Sequence, residues 1–251
     1  MPSTAVKSAL FVGHPGHEMR VFEWMRRTQP LFDVLTDGSG PDRVSRFYLT
    51  ENVAHRAGAT LGIFRGAYSD RQFYDLILQK TPGPFLEMAD RLAESWIAQE
   101  IELVAGDMQE GFNPTHEVCR MLINAAVKRV RRKTGRELVN LEFPLEKMRL
   151  PGRTPAVVVE LTDEQFANKR VAAAAYPALA SEVDRLIQKH GKAAFQVETL
   201  VVADESAGLV WSEAEPPFYE TYGRQQIASG HYRELITHEE HIRPLAEALY
   251  A

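Results

Sequence analysis

The chain has 251 residues, 45% of them hydrophobic and 25% charged, which is enough to bury a substantial core. Its formal net charge of -5 shows no basic excess, so we expect no nucleic-acid partner. No run of 18 apolar residues occurs, and Cys119 is the only cysteine. The sequence therefore predicts a cytoplasmic protein with no membrane partner and no internal disulfide.

The first half of the chain alternates short apolar runs with amphipathic stretches. The predicted elements, in chain order, are a strand ending at Gly13, a helix over 19–27, a strand over 31–36, a helix over 42–57, a weak strand over 61–64, a loop over 65–70, a helix over 85–99, a strand over 101–105 and a helix over 118–131. This alternation is typical of α/β proteins. It predicts a Rossmann-like, mostly parallel sheet with helices on both faces.

The second half has a different pattern of predicted elements. It predicts strands over 137–150 and 155–161 around a Pro/Gly turn at 151–155, one or two helices over 163–190 with a break near Pro177, a strand over 194–203 and a terminal helical segment over 223–249. No linker-like stretch separates the halves. We therefore expect residues 1–251 to form a single α/β domain, with a core over about 5–135 and a C-terminal α+β extension over about 136–251.

Two histidine motifs each follow a predicted strand. The first is His14-Pro15-Gly16-His17-Glu18, and the second is Asn113-Pro114-Thr115-His116-Glu117. The carboxyl ends of parallel strands meet at one edge of a sheet, so His14, His17 and His116 are candidate neighbours. Imidazole suits zinc, and three protein ligands with one open position are typical of catalytic zinc. The spacing also allows a simpler interpretation, in which His14 caps a helix and His17 lies in solvent.

The order of these motifs resembles the PIG-L/LmbE-type metal-dependent N-deacetylases. The resemblance covers roughly residues 8–130, and its matching positions are His14, Pro15, Glu18, Thr36-Asp37-Gly38, Arg46, Ala57-Gly58, Pro114 and His116. It implies a metal-dependent hydrolase that removes an acyl group from an amide nitrogen of a small molecule, such as an amino sugar or its conjugate. It also implies zinc (Zn2+) as the cofactor.

The resemblance assigns roles to individual residues. His14 and His116 fall on metal ligands, and His17 replaces an aspartate ligand of the family. Gly16 replaces the aspartate that serves there as general base, and a glycine cannot accept a proton, so another carboxylate is required. The candidates for this catalytic role are Glu110, Glu18 and Asp107, of which Glu110 and Asp107 lead because their loop is expected at the same rim.

Three further residues are candidates for substrate binding. Arg46 could clamp a carboxylate or phosphate, or form a surface ion pair. Asn113 could donate its amide to an oxyanion, or simply begin the turn at Pro114. Asp37 lies at the end of a predicted strand, although an aspartate before glycine is also a common turn residue.

Two other functions stay open at this point. Three neutral histidines could hold iron (Fe2+) for an oxidoreductase, lyase or transferase, or the fold could persist as a non-catalytic binding protein. A homo-oligomer is possible for an enzyme of this size. The segment 216–232 could cover the site, with Tyr219, Tyr222, Arg224 or His231 facing a ligand. His238 and His241 are predicted to lie on a solvated helix face.

Overall fold

The computed structural model describes residues 6–40, 43–146, 152–174, 176, 183–185, 187–188, 191–211 and 214–251. Its strands are β1 (Ser8–Val12), β2 (Leu31–Thr36), β3 (Thr60–Tyr68), β4 (Leu103–Asp107), β5 (Val139–Phe143), β6 (Pro155–Glu160) and β7 (Val197–Val202). Within the described residues they form one sheet in the order β3-β2-β1-β4-β5-β7-β6. The first five strands run parallel, and β7 pairs antiparallel with both β5 and β6.

Helices follow most of the strands. They are α1 (Phe22–Thr28), α2 (Phe47–Ala57), α3 (Asp70–Leu78), α4 (Gly83–Ala98), α5 (Pro114–Thr134), α6 (Asp163–Ala173), α7 (Ala193–Gln196), α8 (Phe218–Ala228) and α9 (Arg243–Tyr250). A 3-10 turn (His17–Val21) precedes α1, and a π-helical turn (His238–Ile242) precedes α9. Two buried clusters of hydrophobic side chains lie on the two faces of the sheet. The predicted α/β class, with a mostly parallel sheet between helices, is confirmed.

The strand order reverses its direction between β1 and β4. From β1 the chain moves outward through β2 and β3, and it then returns to add β4 and β5 on the other side. In open α/β sheets a crevice forms at such a reversal, beyond the carboxyl ends of the strands. The residues that follow β1 and β4 therefore face a common crevice.

Several predicted boundaries were wrong. Residues 65–68 continue β3, and the unpredicted helix α3 begins at Asp70. Helix α5 begins at Pro114 rather than near residue 118, which moves His116 from a strand end into the first helical turn. The terminal segment is interrupted between α8 and the π-helical turn, and α6 ends at Ala173. Pro177, where a helix break was expected, lies outside the described residues.

A bulge in β3 explains its weak sequence pattern. Phe32 pairs with Leu61 and Val34 with Arg65, so β3 carries extra residues opposite Asp33. The buried Asp33 carboxylate accepts the N–H of Phe64 at 2.7 Å and thus satisfies part of the disrupted ladder. A Cβ atom at position 62 would lie 2.3 Å from that carboxylate, so the bulge requires Gly62.

The C-terminal half packs onto the core through a buried ion pair. Glu198 of β7 accepts the N–H groups of Glu23 and Trp24 at the start of α1, at 2.9 and 2.8 Å. The same carboxylate binds the ammonium of Lys169 at 2.8 Å, and both side chains are almost fully buried. Negative charge is stabilised at a helix N-terminus, so this contact joins α1, α6 and β7. Within the described residues, no helix is both long and apolar enough to cross a membrane.

Candidate metal centre

The loop after β1 contains a glycine because two other elements approach it closely. A Cβ atom at Gly13 would lie 3.0 Å from the Asp107 carboxylate and 3.7 Å from the His116 ring. The N–H of Gly13 instead donates to Oδ2 of Asp107 at 2.8 Å. The ends of β1 and β4 and the start of α5 therefore meet here.

The structure brings the three sequence-predicted metal ligands together at this point. The ring centres of His14 and His17 are 5.3 Å apart. The ring centre of His116 lies 5.1 Å from that of His14 and 4.5 Å from that of His17. The rings are inclined to one another by 68–90°. The three imidazoles are thus mutual neighbours.

Two interactions fix the ring of His14. Its Nδ1 lies 2.7 Å from the hydroxyl of Thr36 and 3.1 Å from Oδ1 of Asp70, while Oδ2 of Asp70 accepts the N–H of Gly40 at 2.7 Å. Its Nε2 is buried and has no hydrogen-bond partner among the described residues. Although burial opposes ionisation, hydrogen bonds from His14, Thr36 and Gly40 hold the pKa of Asp70 well below its usual range. The Asp70 carboxylate is therefore ionised and favours a proton on Nδ1, which leaves Nε2 as the donor atom for a ligand.

A second carboxylate fixes the ring of His17. Its Nδ1 lies 2.8 Å from Oδ2 of Asp107, which is fully buried. Burial lowers the pKa of His17, but the charge and hydrogen bond of Asp107 more than offset this, so the pKa is raised. Oδ1 of Asp107 has no hydrogen-bond partner among the described residues. One oxygen of this carboxylate thus orients His17, while the other is available for a different contact.

His116 lies in the first turn of α5, and it differs from the other two histidines. Asn113 caps this helix by accepting the N–H of Thr115 at 2.8 Å, and Pro114 occupies the first helical position. Nδ1 of His116 is buried without a partner among the described residues. Burial and the nearby charges of His17 and His14 hold its pKa well below the ordinary value, so the ring is neutral. Metal-binding imidazole is also neutral.

The spacing of the rings suits a shared ion. Zinc binds an imidazole nitrogen at about 2.0–2.1 Å, which places the ring centre roughly 3.2 Å from the metal. At angles of about 90–110° between ligands, two ring centres are then about 4.5–5.2 Å apart. The observed distances of 4.5–5.3 Å agree with that geometry.

The positions of the donor nitrogens suit a shared ion less well than the positions of the ring centres do. Among the described residues, no group of three His, Cys, Asp or Glu side chains is arranged so that it could hold an ion as it stands. Rotation about the Cβ–Cγ bond of an imidazole moves its nitrogens but leaves the ring centre nearly in place. For His116 such a rotation breaks no hydrogen bond at Nδ1, because that atom has no partner among the described residues.

Two of the predicted catalytic carboxylates hold loops. Glu18 is buried and accepts the N–H of Gly16 at 2.7 Å as well as the hydroxyl of Tyr176. Burial raises the pKa of Glu18. Glu110 accepts the N–H groups of Leu145 and Glu146, the shortest at 2.7 Å. Asp107 is therefore the predicted catalytic carboxylate in direct contact with a histidine of the cluster.

The predicted substrate-binding residues lie in the neighbouring loops. Oδ1 of Asp37 accepts the N–H of Ser39 at 2.9 Å, as in an Asx turn. Arg46 is exposed, and its Nε donates to the carbonyl of Gly38. Asn113 also accepts the hydroxyl of Tyr74 at 3.4 Å. All three thus have structural contacts.

Asp70 was missed by the sequence analysis, although a signal for it was present. Ser69 and Gln72 form a capping box, in which Ser69 accepts the N–H of Gln72 and the Gln72 side chain accepts the N–H of Ser69. This Ser-x-x-Gln pattern marks the start of α3 and would have placed Asp70 in a first helical turn. The helix also lies directly after β3, at the sheet edge that carries the histidines.

The prediction for the second histidine pair was wrong. His238 and His241 are buried, with 3% and 7% of their surfaces exposed. The N–H of His238 donates to Glu220 of α8 at 2.9 Å, and Nδ1 of His241 accepts the N–H of Thr237 at 3.1 Å. A π-helical turn rather than a regular helix places both rings inward.

Comparisons with known proteins found matches only among solved structures. No protein-family model and no curated protein matches the chain. The zinc-inhibited form of the teicoplanin deacetylase Orf2 is 13% identical, with a TM-score of 0.47, over 79% of this chain and 99% of that one. The A40926 pseudoaglycone deacetylase Dbv21 is 12% identical, with a TM-score of 0.46, over 80% of this chain and 98% of that one. A deacetylase–teicoplanin complex is 12% identical, with a TM-score of 0.46, over 79% of this chain and 100% of that one.

Proposed function

We propose that this protein is a metal-dependent hydrolase that removes an acyl group from an amide nitrogen of a small molecule, with an amino sugar or its conjugate as the substrate class. The observation that carries the proposal is the cluster of His14, His17 and His116, whose ring centres are 4.5–5.3 Å apart. Two of these rings donate to carboxylates. Metal-ligating histidines commonly have such partners, which fix the tautomer and the direction of the other nitrogen.

The residues present fit a zinc ion. Three neutral nitrogen donors with one open position are the usual protein contribution to catalytic zinc. Nε2 of His14 and Nδ1 of His116 are both buried without a partner among the described residues, and such orphaned atoms are costly unless something binds them. We therefore assign His14, His17 and His116 as the ligands. Iron (Fe2+) accepts the same donors, so elemental analysis decides the metal.

Bound zinc would polarise an amide carbonyl and lower the pKa of water. Asp107 has two parts in this scheme. Its Oδ2 holds the ring of His17 and the N–H of Gly13, while Oδ1 is available to take a proton. Glu18 and Glu110 are weaker candidates for that step because their oxygens bind backbone N–H groups or a tyrosine hydroxyl. Asp107 thus becomes the leading general base in place of the missing side chain at Gly16.

Residues of the neighbouring loops would bind the substrate. Arg46 is exposed and lies beside the loop whose Gly40 N–H donates to Asp70. Its remaining guanidinium N–H groups can therefore donate hydrogen bonds to an anionic or hydroxyl group of the substrate. Asp37 shapes the same loop. Asn113 caps α5 near His116, and its Oδ1 accepts from Tyr74 and Thr115, so in this scheme its amide N–H groups would donate to the carbonyl oxygen of the substrate.

The test combines metal content with hydrolysis. Purified wild-type protein should contain about one equivalent of zinc or iron and release amine from members of an N-acetyl amino-sugar panel. His116→Ala should lose the metal and at least about 100-fold of the rate, because a ligand is removed. The exposed His55 on α2 supplies the matched control, and His55→Ala should retain both properties. Full metal occupancy in His116→Ala would overturn the assignment.

A further inference from the structure

A row of aromatic side chains begins at the candidate metal centre and extends along the protein surface. The ring of Phe112 stacks on His116 at 6.3 Å and on Phe218 at 5.1 Å, with interplanar angles of 28° and 7°. Phe218 stacks in turn on Tyr222 at 5.9 Å, and Tyr222 meets Tyr232 edge-on at 6.4 Å. We call Phe112, Phe218, Tyr222 and Tyr232 the aromatic row.

The aromatic row is unusually exposed for such large rings. The exposed fractions are 38% for Phe112, 50% for Phe218, 42% for Tyr222 and 38% for Tyr232. Contiguous exposed apolar surface beside a polar site commonly marks a binding surface. Here the row is continuous with a histidine of the candidate centre, which connects its role to that site.

The far end of the aromatic row returns to the loop before His116. Tyr232 contacts the ring of Tyr74 at 6.3 Å, and the Tyr74 hydroxyl donates to Asn113, the residue after Phe112. The contacts therefore form a circuit across α8, α3 and the start of α5. Such a circuit holds each ring against two neighbours, so the surface is preorganised rather than formed by single mobile side chains.

We propose that the aromatic row binds a flat, apolar aryl group that the substrate carries on the amine side or the acyl side of the amide that the histidine centre would hydrolyse. This inference rests on the proposed function and narrows its substrate class. The near-parallel planes of Phe112, Phe218 and Tyr222 present ring faces and edges suited to offset stacking. The row contributes only two hydroxyl groups and no charge. An aryl group needs no hydrogen-bond partner, so a surface made of ring faces suits it.

Calorimetry with matched probes tests this preference without turnover. The background is His14→Ala, which lacks a proposed metal ligand but leaves the row intact. The phenyl β-glycoside of N-acetylglucosamine should bind about tenfold more tightly than the methyl β-glycoside, since an aromatic contact adds about 0.5–1.5 kcal/mol beyond area burial. A second pair, N-phenylacetylglucosamine and N-acetylglucosamine, places the ring on the acyl side. A preference in either pair indicates the side on which the aryl group lies.

Substitutions in the row provide the decisive comparison. Phe218→Ala and Tyr222→Ala, made separately on exposed positions of α8, should bring the affinity ratio close to one. Tyr48→Ala removes an exposed aromatic side chain from α2, outside the row, and should keep the ratio. Equal affinities within both probe pairs would overturn the proposal, as would an equal loss in Tyr48→Ala. Failure of the proposed hydrolysis would appear instead as absent metal and turnover in wild type, with the binding ratio unchanged.

Discussion

At the level of single residues, Asp70 and Asp107 determine how two histidines of the candidate centre are oriented. Asp70 binds Nδ1 of His14, and Asp107 binds Nδ1 of His17, at 3.1 and 2.8 Å. In a metal site such a carboxylate raises the basicity of the ligand and fixes its tautomer. The resemblance based on the histidine motifs did not include either contact.

Replacing Asp70 with asparagine should weaken zinc binding by about 10- to 100-fold, because His14 loses its charged partner. A competition titration against a chromophoric chelator measures this. Asp75→Asn is the control, because Asp75 is exposed on the same helix and its carboxylate, within the described part of the chain, makes only a long ion pair with Arg71. Equal zinc affinity in wild type and Asp70→Asn would show that the contact does not support a metal ligand.

The ionisation of the buried Asp33 carboxyl group should make the stability of the fold depend on pH. Burial raises its pKa to about 6, even though the N–H of Phe64 favours the ionised form. An acid with a raised pKa stabilises the fold fully below its unfolded pKa, near 4, and this contribution is lost as the pH rises through 6. Asp33→Asn should therefore be more stable than wild type at pH 8, by about 3 kcal/mol, and similar to it at pH 4.

Chemical denaturation of wild type and Asp33→Asn from pH 4 to pH 8 measures the difference in their free energies of unfolding and its sign. The difference between variant and wild type isolates Asp33, because the other carboxylates titrate alike in both proteins. A free-energy difference that stays constant from pH 4 to pH 8 would contradict a raised pKa at this position.

The sequence pointed to the three histidines and to Asp107, the partner of His17, but not to Asp70, the partner of His14. His14, His17 and His116 follow recognisable strands, and the geometry of parallel sheets predicts that they approach one another. Asp70 comes from α3, a helix that the hydrophobic pattern did not reveal. Its burial depends on the loop at Gly40 and on the position of His14, which are tertiary features that local sequence does not encode.

At the level of elements, the bulge in β3 is the least regular part of the parallel sheet. Gly62→Ala should destabilise the protein by about 1–3 kcal/mol, because the added methyl group would meet the Asp33 carboxylate at 2.3 Å. Gly83 at the start of α4 provides the control, since a Cβ atom there meets nothing within 4 Å. Gly83→Ala should leave stability unchanged or raise it slightly. Equal melting temperatures for the two variants would show that the bulge tolerates a side chain.

The success of the strand predictions depended on burial. Strands β1 and β2 are buried on both faces and are mostly apolar, so their predicted positions agree closely with the structure. Most of β3 is half-buried or exposed, and its bulge breaks the alternation of side chains, which hid its second half. Helix α5 begins four residues before its predicted start because Asn113 and Pro114, which are also compatible with a turn, form the helix cap and its first residue.

At the level of the whole molecule, the reversal of strand order between β1 and β4 brings distant motifs to one crevice. His17 and Asp107 are 90 positions apart in the chain, yet their side chains are 2.8 Å apart. The C-terminal half adds β6 and β7 to the same sheet, and α8 supplies part of the aromatic row. The alternation of strands and helices predicted the sheet. It did not predict how the extension packs, because that depends on long-range contacts such as Lys169 with Glu198.

The most direct measurement is an anomalous diffraction map of crystals grown with zinc. We predict a single strong peak about 2.0–2.1 Å from one ring nitrogen of each of His14, His17 and His116, with Asp70 and Asp107 on the opposite nitrogens of the first two rings. A peak bound elsewhere, or an ordered histidine cluster without a peak at saturating zinc, would contradict the account.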